Sequence, residues 1–191
     1  MWLYIFNPLL WILFYFIAYS WFIIVYACPR FRNKLFRRNN PFKSIFTGVI
    51  SVLVFLGIPT TIITIIKQPS LLEYYRIMNI LGLIIIIIAI YIEIISRSQI
   101  GIFPGLKKKE KLIKGGIYQI IRHPIYLGNS LLVVGLAVFF NSKISFIFSI
   151  FYFISYIPLI FLEEKILLKE YNKEYESYKK NTPNILIPKL I

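Results

Sequence analysis

Residues 77–95 read IMNILGLIIIIIAIYIEII, an almost unbroken apolar run that contains Glu93 near its end. A run of about 18 or more apolar residues is long enough to cross the hydrocarbon core of a bilayer as a helix. The whole chain is 58% hydrophobic, whereas soluble domains are about 45–50% apolar. The sequence therefore predicts an all-α integral membrane protein.

Four further apolar spans lie on either side of this run, at residues 2–27, 45–66, 125–140 and 144–162. Only Asn141-Ser142-Lys143 joins the last two, which forces them into an antiparallel helical hairpin. The first span has no basic leader and no small-residue cleavage site, so we interpret it as a retained helix. We expect five transmembrane helices that end in a C-terminal helical hairpin.

The chain turns polar after residue 162 but keeps a helical pattern. Apolar and aromatic residues recur there at spacings of three and four, at Leu167, Leu168, Tyr171, Tyr175 and Tyr178. This spacing is typical of an amphipathic helix that continues or follows the fifth span.

The net charge of +14 comes from Lys and Arg in three segments. Six lie at Arg30, Arg32, Lys34, Arg37, Arg38 and Lys43, seven at Arg97, Lys107, Lys108, Lys109, Lys111, Lys114 and Arg122, and six at Lys165, Lys169, Lys173, Lys179, Lys180 and Lys189. The opposite side holds only Lys67, Arg76 and Lys143. Positive residues favour the cytoplasmic side, so the N-terminus is predicted outside and the C-terminus in the cytoplasm. A membrane surface explains this charge better than nucleic acid does.

Metal and disulfide chemistry find little support in the composition. The chain has one histidine, His123, and one cysteine, Cys28, and all eight acids are glutamate. No disulfide forms within such a chain, and no Cys/His zinc site can be assembled. We predict no metal, and we interpret Cys28 as an ordinary residue at a helix end.

Two unusual stretches lie at the start of the fourth span. The first, Gly115-Gly116-Ile117-Tyr118, precedes the span, and the second, Arg122-His123-Pro124-Ile125-Tyr126-Leu127-Gly128, leads into it. Proline is tolerated in the first turn of a helix, where free N–H groups and the positive end of the helix dipole suit an anion. The flanking basic and aromatic residues add donors and ring faces. The alternative is an interfacial anchor at the level of the lipid headgroups.

Two glutamates lie at a helix end where the helix dipole disfavours acidic residues. Glu163 and Glu164 lie at the C-terminal end of the fifth span and oppose the helix dipole. They bind a ligand or form an ion pair with Arg122 or a loop lysine, and the hairpin must bring them close to residues 122–128. Glu93 is an intramembrane acid, a type that is often functional, although its position near the interface also allows simple solvation.

These residues resemble the isoprenylcysteine carboxyl methyltransferase family and its phospholipid methyltransferase relatives. The matching pattern is Gly116-Ile117-Tyr118, then residues 122–128, then a hydrophobic hairpin. It continues with Glu163-Glu164-Lys165-Ile166-Leu167, Tyr175, Tyr178, Pro183 and Pro188. The resemblance covers residues 97–190 and keeps both order and spacing.

The resemblance implies a single membrane methyltransferase domain over residues 1–191, with a cytoplasmic cofactor loop at 97–124, the hairpin at 125–162 and a tail at 163–191. It implies S-adenosylmethionine as methyl donor. The positions carried over as cofactor-binding are Glu110, Lys111, Leu112, Ile113, Tyr118, His123, Pro124, Ile125, Tyr126 and Glu163. We assign catalytic roles to Arg122 and Glu164.

The expected substrate is a lipophilic small molecule or lipidated partner, a prenylcysteine-like carboxylate or a related membrane lipid, methylated at the cytoplasmic face. Leu159 stands where prenylcysteine enzymes carry an arginine. A phospholipid or amine N-methyltransferase is therefore an alternative, and Glu93, Glu164 or His123 would then assist with the proton. Two further alternatives are a steroid-reductase-like membrane enzyme that uses NADPH and a non-catalytic membrane adaptor.

Overall fold

The computed structural model describes residues 8–28, 69–100 and 111–187, and these ranges fold almost entirely into helices. They are α1 (Pro8–Ala27), α2 (Tyr75–Ile100), α3 (Pro124–Phe139), α4 (Lys143–Tyr171) and α5 (Lys173–Asn181), with a 3-10 turn at Gly116–Gln119. The predicted span at 45–66 lies outside the described residues.

Two of these helices are long and apolar enough to cross a membrane, α2 with 26 residues and α4 with 29. At 1.5 Å per residue they extend about 39 and 44 Å, more than the roughly 30 Å of a hydrocarbon core. Helix α3 has 16 residues and reaches only about 24 Å. The described helices confirm an all-helical chain with membrane-spanning potential, and the count of five spans stays a prediction.

Helix α4 extends well beyond the predicted end of the fifth span at residue 162. It continues to Tyr171 and stops at Asn172, whose φ of 48° is left-handed. Asparagine tolerates this conformation better than most residues. Hydropathy thus marks where the apolar span ends, whereas the helix ends at a backbone reversal nine residues later. The predicted tail helix consists of the end of α4 together with α5.

Helices α2 and α3 pack antiparallel at very short distance. A Cβ atom on Gly82 would lie 2.3 Å from the backbone nitrogen of Phe139, and one on Gly128 would lie 2.9 Å from Cγ of Glu93. Gly135, one heptad after Gly128, meets α2 in the same way. Glycine on facing surfaces lets membrane helices approach closely. This packing brings Glu93 against the start of α3.

Helix α4 packs on α1 and α3 through a core rich in tyrosine. Tyr15 of α1 is fully buried, and its hydroxyl shares a 2.7 Å hydrogen bond with Ser155 Oγ. Tyr152 and Tyr156 share another hydroxyl–hydroxyl bond of 2.7 Å. Leu186, from the segment after α5, is buried in the same cluster. The tail therefore belongs to the core rather than lying apart from it.

The tip of the α3–α4 hairpin is hydrogen-bonded to the segment that precedes α2. Asn141 is buried with a φ of 50°. Its Oδ1 accepts hydrogen bonds from the N–H groups of Leu71 and Leu72 at 3.2 and 3.0 Å, and its Nδ2 donates to the Leu72 carbonyl at 2.6 Å. One side chain thus fixes where α2 begins relative to the hairpin.

Replacing Asn141 with glycine should cost about 1–2 kcal/mol of stability, because glycine keeps the backbone angle but removes the side-chain partners of the Leu72 N–H and carbonyl. Asn172→Gly is the matched control, since Asn172 has a similar φ and no side-chain cap bond. Thermal unfolding in detergent micelles measures both variants. Equal unfolding temperatures for Asn141→Gly and Asn172→Gly would contradict a stabilising role for the Asn141 side-chain hydrogen bonds.

Candidate functional site

The two ends of the α3–α4 hairpin meet through side-chain hydrogen bonds. The Tyr126 hydroxyl, in the first turn of α3, donates to Glu163 Oε2 at 2.8 Å. Arg122, just before α3, donates from Nε to Glu164 Oε1 at 2.8 Å. Residues about 40 positions apart in the sequence therefore share one site, as the hairpin requires.

Arg122 also binds the segment after α5, residues 182–187, which we call the strap. Its Nη1 donates to the carbonyls of Thr182 and Pro183, each at 2.7 Å. The side chain is 3% exposed, so these bonds are well shielded from water. The guanidinium that the sequence assigned to catalysis is therefore engaged in holding the strap against the hairpin.

The strap also pairs with the backbone that leads into α3. The N–H of Arg122 donates to the Asn184 carbonyl and the N–H of His123 to the Ile185 carbonyl, both at 3.0 Å. The sequence analysis expected free N–H groups at this helix start. Two donors directly before Pro124 are instead taken by the strap, so the helix start is partly covered.

Glu164 lies between two cations. Besides its bond to Arg122, its Oε2 accepts a hydrogen bond from Lys179 Nζ of α5 at 2.8 Å. The side chain of Glu164 is 7% exposed, whereas that of Lys179 is half exposed. This carboxylate links α4, α5 and the segment before α3. For Glu164, the structure therefore shows an ion pair with Arg122, one of the two roles that the sequence allowed.

His123 sits between the paired glutamates and stacks on Tyr126, with ring centroids 5.6 Å apart. Its Nδ1 lies 3.5 Å from Glu163 Oε2 and its Nε2 lies 3.6 Å from Glu164 Oε1. Burial lowers the pKa of His123, but the two carboxylates raise it more, and the net pKa is above the ordinary value. The two carboxylates therefore stabilise the protonated form of His123 relative to a free imidazole.

A second cluster of tyrosines lies beside this site. The Tyr178 hydroxyl donates to the Tyr118 carbonyl at 2.7 Å, and Tyr175 is buried next to both. Two predicted cofactor residues, Leu112 and Ile113, pack against the same cluster. The cluster thus extends the site from the hairpin ends to the loop before the 3-10 turn.

The remaining predicted cofactor positions differ in placement. Pro124 is buried at the start of α3 and Ile125 is partly buried beside it, whereas Lys111 is exposed. Glu110 lies outside the described residues. Gly116, in the matched motif, has a φ of 58° and approaches the Gln99 side chain so closely that a Cβ would lie 2.0 Å from Nε2.

Five buried side-chain polar atoms have no hydrogen-bond partner within the described ranges. They are Glu93 Oε1, Gln99 Oε1, Tyr118 OH, His123 Nε2 and Tyr175 OH. Buried polar groups are nearly always paired, and each exception needs an explanation. All five belong to the glutamate–histidine site, the tyrosine cluster or the end of α2 that adjoins them, which points to polar ligand groups at this end of the helices.

An open depression lies nearby, between the 3-10 turn and α5. Its lining residues are Lys114, Gln119, Ser177, Tyr178, Asn181 and Thr182. None of the predicted cofactor or catalytic residues is among them. The unpaired polar atoms, rather than this depression, define the candidate site.

Arg122→Ala should destabilise the fold by about 3–5 kcal/mol, because it leaves a buried carboxylate with only one partner. It should also speed proteolytic cleavage within residues 182–187. Lys114→Ala is the control, since the 2.8 Å Lys114–Glu174 pair is 45% and 47% exposed and is worth less than about 1 kcal/mol. Similar unfolding and cleavage for both variants would argue against the strap contact.

His123 should make the stability depend on pH. Its folded pKa lies above the ordinary 6.5, so its contribution is fully present below about pH 6.5 and is lost as pH rises through the folded value. We expect the unfolding temperature of the wild type to fall more between pH 6 and 9 than that of His123→Gln. Parallel curves for the two proteins would contradict this assignment.

Comparison with known proteins agrees with this geometry. The sequence model of the family described as phospholipid methyltransferase matches residues 77–174, just over half of the chain. The match runs from α2 to the start of α5 and includes the hairpin and both site motifs. No curated protein matches the chain closely enough to count as a relative. The chain belongs to the phospholipid methyltransferase family, within the group of membrane methyltransferases related to the isoprenylcysteine carboxyl methyltransferases.

Proposed function

We propose that this protein transfers a methyl group from S-adenosylmethionine to a lipophilic acceptor at the cytoplasmic face of the membrane, with the amine of a lipid headgroup as the favoured acceptor. Family membership supports the methyl transfer. The observation that carries the site is the set of unpaired buried polar atoms around His123, Tyr118 and Tyr175.

The residues present suit the donor groups of S-adenosylmethionine. Burial raises the pKa of Tyr118 and of Tyr175, so both hydroxyls stay protonated donors at neutral pH. Together with the His123 N–H they suit the carboxylate and the ring nitrogens of the cofactor. The Glu163 carboxylate suits ribose hydroxyls, and Gln99 Oε1 suits an ammonium group. When bound, the cofactor supplies a methyl group that its sulfonium already activates.

The protein itself then contributes mainly by positioning the reacting groups and by shielding them from water. The stacked rings of His123 and Tyr126 fix the Glu163 carboxylate, and Arg122 and Glu164 hold the strap over the start of α3. Fixed geometry and exclusion of water are large effects for the transfer of an activated group. We therefore propose Arg122 and Glu164 as positioning residues rather than groups that touch the acceptor.

Two observations favour an amine over a carboxylate acceptor. Leu159, at the position of the arginine in prenylcysteine enzymes, is buried in the apolar core. Arg122, the arginine at the hairpin ends, is engaged by Glu164 and two strap carbonyls. Neither position offers a cation to an acceptor carboxylate, so carboxyl O-methylation, which the sequence analysis placed first, becomes the second candidate.

The cofactor assignment is tested by equilibrium binding of S-adenosylmethionine to protein purified in detergent. We expect Glu163→Gln and His123→Gln each to weaken binding at least about tenfold, or about 1.4 kcal/mol. Glu170→Gln, an exposed glutamate two turns later on α4, should bind as the wild type does.

Undiminished binding in both site variants would overturn the assignment of the site. Displacement of the bound cofactor by excess NADPH would favour the reductase class instead. A labelled methyl-transfer assay with phosphatidylethanolamine and a prenylcysteine analogue then separates the two acceptors. Transfer to the prenylcysteine analogue alone would exclude the amine.

A further inference from the structure

Glu93 is a partly buried acid in a helix long enough to cross a membrane, and one of its two oxygens has no partner in the described ranges. Its Oε2 accepts a short hydrogen bond from Nε of Arg97, one turn later on α2. Its Oε1 is buried and has no partner in the described ranges. The whole side chain is 14% exposed. An acid held in this way at membrane depth is costly unless it serves a purpose.

The position of Glu93 differs from that of the cofactor residues. It lies seven residues before the end of α2, about 10 Å into the helix. Its side chain contacts Gly128, where a Cβ would lie 3.0 Å from Oε1. Gly128 is more than one turn inside α3, whereas His123 precedes the helix. Glu93 therefore borders the site on its membrane side, where a lipid headgroup would enter.

Methylation of an amine needs a group that takes up a proton, and the sequence offered three candidates. Glu164 is held by Arg122 and Lys179. Each ring nitrogen of His123 faces a glutamate oxygen, at 3.5 and 3.6 Å. Glu93 alone of the three keeps an oxygen that no described group occupies.

We propose that Glu93 Oε1 binds the ammonium group of the methyl acceptor and takes up its proton, which makes Glu93 the specificity-determining residue for amines. This inference rests on the proposed methyltransferase function. The ammonium gives its proton to the carboxylate, and the nitrogen lone pair then attacks the methyl carbon. The N–C bond forms while the C–S bond breaks, the electron pair stays on sulfur, and a thioether results. Glu93 finally releases its proton to water.

The geometry also explains why residue 128 of the matched motif is a glycine. A methyl group on Gly128 would lie 2.9 Å from Cγ of Glu93 and 3.0 Å from Oε1, which is well inside van der Waals contact. The Glu93 side chain would then have to shift away from α3. The absence of a side chain at Gly128 thus lets Oε1 keep its position against α3.

The test measures binding of dihexanoyl phosphatidylethanolamine to the full-length protein in detergent by titration calorimetry. We expect Glu93→Gln to weaken this binding at least about tenfold and to lower the methyl-transfer kcat about 100-fold. S-adenosylmethionine binding should stay within about twofold of the wild type. Glu73→Gln, an exposed glutamate just before α2, is the control and should change neither property.

A second variant, Glu93→Asp, keeps the charge beside Arg97 but withdraws the oxygen by one methylene, and we expect intermediate binding. It decides the question if Glu93→Gln does not fold. Wild-type binding of the amine lipid by either folded variant would overturn the proposal, and so would equal loss of amine and cofactor binding. A wild-type protein that binds no S-adenosylmethionine would instead refute the proposed function, and the calorimetry separates the two results.

Discussion

The buried ion pair between Arg122 and Glu164 joins parts of the chain that lie far apart in the sequence. Glu164 stands near the end of the apolar part of α4, and Arg122 ends the loop before α3. The same guanidinium holds the strap through two carbonyls. A buried charge that loses its partner is strongly destabilising. The hairpin, the strap and α5 therefore have one arrangement in which both charges are satisfied.

This constraint explains why the neighbouring groups can remain partly unpaired. With Arg122 and Lys179 on the Glu164 carboxylate, Tyr126 is bound to Glu163, and His123 lies between the two glutamates. The tyrosine cluster of Tyr118, Tyr175 and Tyr178 closes the side toward α5. A rigid frame can hold polar atoms without partners, because the frame prevents them from relaxing toward each other. Such preorganised groups are what a polar cofactor needs in order to bind without a large ordering cost.

The sequence predicted the apolar helices that the structure describes and the meeting of the hairpin ends, because apolar length and a three-residue connection leave few alternatives. It did not predict the end of α4, since the helix continues through charged residues until Asn172 reverses the backbone. The sequence also did not predict that the strap binds the hairpin. The strap's hydrogen bonds to residues 119–123 are accepted by backbone carbonyls, and carbonyl acceptors leave no trace in side-chain patterns. The role of Gly128 became visible only when α2 and α3 were placed together.

The packing of α2 against α3 arranges the site in two layers along the helix axes. Close to the helix ends, His123, Glu163 and the tyrosine cluster offer donors and one carboxylate to a polar molecule arriving from water. More than one helical turn deeper, Glu93 faces the seam where α3 carries glycine instead of a side chain. In the proposed function, a lipid acceptor and a soluble donor would approach these two layers from opposite directions. The methyl group would then pass between them at a point from which water is excluded.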